Sequence, residues 1–165
     1  FDQLQHMLPA EPSLVFIEIS IHGTVEGRVY IRLKKDLPKI RDYVVQLVTG
    51  QGGPAMVGIK LNDRNEGCAV YAKDMPLSEM KFTPDSNGSS TAQYGDVAGL
   101  FKRGYLDYIL FYFAAPPSKR DYGVFSKGWS VFGCVEDGMD VIKACHDNCS
   151  SNVKIADCGL VIEQK

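Results

Sequence analysis

Val131-Phe132-Gly133-Cys134-Val135, then Glu136-Asp137-Gly138-Met139, then Ile155-Ala156-Asp157-Cys158-Gly159 form the stretch that decides the fold of this 165-residue chain. The first piece is apolar and β-forming, so it reads as a strand. A helix follows over about Gly138 to Asn148, with Met139, Ile142 and Cys145 at helical spacing on its inward side. A final strand, Val153 to Ile162, closes the domain.

Towards the N-terminus, Leu14 to Ile21 alternates, with Val15, Ile17, Ile19 and Ile21 on one side and Phe16, Glu18 and Ser20 on the other. That is the period of a half-buried strand. After the turn-forming His22-Gly23-Thr24 and Glu26-Gly27, the alternation resumes at Val29, Ile31 and Leu33, which predicts a hairpin. Asp36-Leu37-Pro38 gives a helix start, with Asp36 as the capping candidate, and Ile40, Tyr43, Val44 and Leu47 follow at helical spacing until Gly50. Two short apolar pieces, Val57 to Leu61 and Cys68 to Ala72, flank the turn-like Asn62 to Gly67 and predict a second hairpin. Thr83 to Ser90 reads as an exposed loop, Tyr105 to Phe113 as a central strand buried on both faces, and Ala114 to Ser126 as another loop. Many short strands with two helices predict a mainly β antiparallel barrel or sandwich capped by helices.

Composition narrows the function classes. With 45% hydrophobic and 23% charged residues and a formal net charge of -2, the chain fits one globular domain and gives no long-range pull towards nucleic acid. No apolar run approaches the roughly 20 residues needed to cross a bilayer, so no membrane partner is expected. Phe1-Asp2-Gln3 is not a signal-peptide start; the expectation is a piece of a longer protein, with residues 1–13 as an extension or linker and 14–165 as the domain. Five scattered cysteines favour reduced thiols and hence the cytoplasm or nucleus, although Asn87-Gly88-Ser89 and Asn148-Cys149-Ser150 are glycosylation-type triplets. Cys145 and Cys149 lie at i and i+4 but lack a second matching pair, so neither metal nor other cofactor is expected. His6, His22 and His146 follow no catalytic spacing.

Val15-Phe16-Ile17-Glu18-Ile19, Gly27-Arg28-Val29, and Leu37-Pro38-Lys39 leading to Leu47-Val48-Thr49-Gly50, together with the C-terminal series quoted first, resemble the cyclophilin family over about Leu14 to Gln164. The resemblance implies an eight-stranded antiparallel β-barrel with a helix at each open end. It also implies prolyl cis/trans isomerisation, whose uncatalysed barrier of about 18–20 kcal/mol comes from amide resonance. In that family an arginine hydrogen-bonds near the prolyl amide while apolar side chains hold the proline ring.

The middle of the chain departs from that pattern. Counted without gaps, the family arginine falls on Asp63, the proline-contacting phenylalanine on Cys68 and the glutamine on Tyr71. Arg64 is one residue away, and a one-residue slip in a strand turns a side chain to the opposite face. Tyr112 occupies the place of an apolar wall, and the family's tryptophan, leucine and histidine fall on Val124, Phe125 and Trp129. Tyr71, Tyr112, Phe125 and Trp129 either line a remodelled groove or fill the space of the old one. The expected function is a protein- or peptide-binding module without isomerase activity and with poor cyclosporin binding. The alternatives are an altered isomerase using Arg64 and a self-associating structural domain.

Overall fold

A computed structural model describes residues 13–50, 57–64, 67–70, 95–100, 111–114, 129–148 and 152–163. The first two strands, β1 (Leu14–Ile21) and β2 (Thr24–Leu33), pair antiparallel. Val15, Ile17, Ile19 and Ile21 are buried and their alternating neighbours half-buried, as the sequence period requires. His22 at φ 53° and Gly23 at φ 81° make the two-residue turn, the left-handed geometry that suits a tight hairpin. Glu26-Gly27, expected in the turn, lie inside β2 instead. The ladder slips between Ile19 and Ser20, leaving Glu26 as the extra residue of a bulge while Gly27 faces Ile19.

Helix α1 spans Pro38–Thr49. Ile40, Tyr43, Val44, Leu47 and Val48 are buried, the i, i+3, i+4, i+7, i+8 stripe of a helix lying on a core. Leu37 precedes the first helical turn, and its own side chain makes no capping hydrogen bond. Leu37 is almost fully buried, so apolar packing fixes the helix entry, and Pro38 at the first turn has no N–H to leave unsatisfied. Gly50, at φ 73°, ends the helix by donating its N–H to the Gln46 carbonyl at 3.0 Å.

Six further strands follow: β3 (Asn62–Arg64), β4 (Gly67–Val70), β5 (Asp96–Leu100), β6 (Phe111–Ala114), β7 (Trp129–Asp137) and β8 (Val153–Leu160). The described strands form one antiparallel sheet in the order β3-β4-β6-β5-β7-β2-β1-β8. Asn62 to Arg64, expected in a turn, are therefore a strand, because cross-strand pairing with β4 outweighs their turn-forming composition. The sheet curls. Gly58 N–H donates to the Ile155 carbonyl at 2.7 Å, Ile155 N–H to Ile59 at 2.9 Å, and Leu61 N–H to Val153 at 2.9 Å. These bonds bring the chain leading into β3, at one end of the order, against β8 at the other.

The second helix, α2 (Met139–Asp147), buries Val141, Ile142 and Cys145. Gly138 starts it at φ 100°, so close to β2 that a Cβ there would lie 2.4 Å from the Arg28 carbonyl oxygen. Ile19, Leu33, Ile40, Leu47, Leu61, Ile142 and Ile155 belong to one core cluster shared by the sheet and both helices. The described part of the chain is thus mainly β, with two helices on a curled antiparallel sheet. None of its helices is long and apolar enough to cross a membrane.

Candidate functional site

The residues singled out from sequence converge on the β3-β4-β6-β5 end of the sheet and the start of β7. Asp63 faces Cys68, Cys68 faces Phe113, and Phe113 faces Val97. One position along, Asn62 faces Ala69, Ala69 faces Tyr112, and Tyr112 faces Ala98. Arg64 faces Gly67, which faces Ala114. Trp129, the first residue of β7, pairs with Leu100 of β5. Tyr71 and Phe125 lie outside the described residues, as does Val124.

Directly opposite residues of an antiparallel pair share a face, and successive residues alternate between faces. The rungs therefore sort the candidates into two sets. Asp63 and Cys68 belong to one, with Phe113 and Val97. Arg64 and Tyr112 belong to the other, with Asn62, Ala69 and Ala98, and the step from Ala98 to Leu100 brings Trp129 into this second set.

Burial alternates in the chain just before β3. Ile59 and Leu61 are buried in the core, whereas Lys60 between them is exposed and bridges to Lys154 of β8. Lys60 thus marks the outward phase of the chain that enters β3, and Val97, in the Asp63 row, is fully buried and part of the core cluster. Ala98 and Val131 face each other in the second set and are also buried, where β5 slips by one residue against β7. Arg64, Tyr112 and Trp129, with Ala69 and Ala98 between them, therefore share one set of register positions, and Asp63 and Cys68 share the other.

Sequence reading missed β5 and with it the small floor at Ala98. The signal was Val97-Ala98-Gly99, where two small residues interrupt a β-forming run and allow close approach of neighbouring chain. Outside this region, Arg28 of β2 stacks over Phe16 of β1, 4.2 Å from the ring centre, and pairs with Glu18 at 3.0 Å. Among the described residues no three His, Cys, Asp or Glu side chains gather as a metal site; Cys145 is buried in α2, and Cys149 lies outside the described residues. No protein-family model matches the chain, and no curated protein matches it.

Proposed function

We propose that the chain is a cyclophilin-like domain, its sheet the eight-stranded barrel of that family, which binds a protein or peptide segment without catalysing prolyl isomerisation. The order of hairpin, helix, curled sheet, helix and final strand supports the barrel, as do the hydrogen bonds from Gly58 to Leu61 onto β8.

The observation that carries the functional reading is the unbroken β3–β4 register. The family reaction needs a cation, an aromatic ring and an amide on one accessible face. Without a shift those places fall on Asp63, Cys68 and Tyr71, which supply an anion, a thiol and a phenol. With a one-residue shift they fall on Arg64, Ala69 and Ala72, so the cation is restored but the ring and the amide are lost. Neither register assembles the three groups. Aromatic residues Tyr112 and Trp129 share the register set of Arg64, and aromatic surfaces with polar tips suit peptide recognition.

One specific observation favours a second reading. Arg64 adjoins Asp63 in β3, one register position away, so weak isomerisation through its guanidinium is the alternative. A protease-coupled assay on a prolyl peptide separates the two: no rate above the spontaneous one supports binding alone, and a rate that Arg64→Ala abolishes supports the alternative. Catalysis comparable to an ordinary cyclophilin would overturn the proposal. Cys134, Cys145 and Cys158 form no disulfide, which fits a reducing compartment, the cytoplasm or nucleus.

A further inference from the structure

The segment leaving β8 is held in a way the candidate groove does not explain. Arg32, near the end of β2, uses all five of its N–H donors. Nε and Nη2 donate to Glu136 Oε2 of β7 at 3.1 and 2.8 Å. Nη1 donates to the Ser13 hydroxyl at 3.0 Å and also to Glu163 Oε1, while Nη2 reaches Glu163 Oε2 at 3.0 Å. One guanidinium thus joins four pieces of chain: β2, β7, the residue before β1 and the segment after β8.

That last segment has little else to hold it. Val161 N–H donates to the Leu14 carbonyl at 2.9 Å, and Ile162 beyond it is 45% exposed. With so little apolar burial, residues 161–163 depend on the fork between Arg32 and Glu163, and a segment with few buried contacts is the first to open.

We propose that Val161–Glu163 is a releasable strap latched by the Arg32 fork, coupling the chain that leaves β8 to the junction of β2, β7 and Ser13. When the strap lifts, Glu163 vacates two of the five donors, the Leu14 carbonyl loses its partner, and Arg32 stays on Glu136 and Ser13. Lifting the strap therefore frees the Leu14 end of β1 while β2, β7 and the core beneath stay joined.

Hydrogen exchange on the intact chain tests this. Glu163→Gln is expected to speed exchange at the Val161 amide by about two- to fivefold, the size expected of a partly exposed ion pair, with no change at Ile142 in α2. Arg32→Lys keeps the charge but loses the planar fork, so it should open the strap to a similar degree. Unchanged exchange at Val161 in both variants overturns the proposal, as does an equal acceleration at Ile142, because the loss is then global. Wild-type protection in Arg32→Lys alone overturns the fork as the latch.

Discussion

Replacing Gly138 by alanine tests how α2 is seated on the sheet. Gly138 holds φ 100° and ψ 19°, a conformation that costs an L-residue about 1–3 kcal/mol. A Cβ there would also stand 2.4 Å from the Arg28 carbonyl oxygen and 2.8 Å from the Val29 Cα, both backbone atoms that cannot rotate away. Forcing such a contact apart costs about a further 1–3 kcal/mol, for a total of roughly 2–6 kcal/mol. At about 2–4 °C per kcal/mol for a chain of this size, Tm should fall by roughly 5–20 °C. Urea unfolding followed by circular dichroism measures the loss, and Gly23→Ala supplies the comparison. Gly23 sits at φ +81° with nothing within 4 Å of an added Cβ, so its substitution carries only the backbone strain. Equal losses at the two glycines would refute the close approach of Gly138 to β2, and a loss below about 1 kcal/mol at Gly138 would refute its positive φ as well.

Other perturbations have equally definite expectations. Ile142→Ala, at a fully buried position of α2, should cost about 2–5 kcal/mol in the same unfolding experiment. Cys134 is exposed whereas Cys145 and Cys158 are buried, so peptide-mapped alkylation of the native chain should mark Cys134 before either of them. Burial, then the Asp96 and Glu136 carboxylates, push the Cys134 thiol up, so its labelling rate should reach half-maximum above the pH usual for a cysteine. Arg32, chiefly by hydrogen bond, holds the Glu163 carboxyl below the ordinary glutamate range. Because the folded value is the lower one, the latch contributes in full above the ordinary glutamate value and fades as pH falls through the depressed one. A carboxyl carbon titration by NMR should show that low midpoint and its return to the ordinary range in Arg32→Gln.

The parts of the fold that were legible in the sequence carry a strong period. Val15, Ile17, Ile19 and Ile21 alternate without interruption, and Ile40, Tyr43, Val44 and Leu47 repeat at helical spacing; burial follows both patterns. Val131 to Val135 and the helix after Gly138 were readable for the same reason. Where pairing rather than local preference decides, the reading failed. Asn62-Asp63-Arg64 has turn-forming composition but is a strand because β4 lies beside it, and Asp96–Leu100 offers too few large side chains to announce a strand. The candidate site is the sharpest case. A count along the sequence puts the family arginine on Asp63, with Arg64 one residue away, whereas the structure fixes their partners across the hairpin as Cys68 and Gly67.

The most direct test of binding without turnover is an NMR exchange experiment on a prolyl peptide with a small fraction of the domain present. Spontaneous cis/trans exchange takes tens of seconds, too slow for exchange cross-peaks on a sub-second mixing time. The expected spectrum shows separate cis and trans resonances with no cross-peaks between them. Strong cross-peaks that persist in Arg64→Ala would contradict the assignment of the β3-β4-β6-β5 face to binding alone.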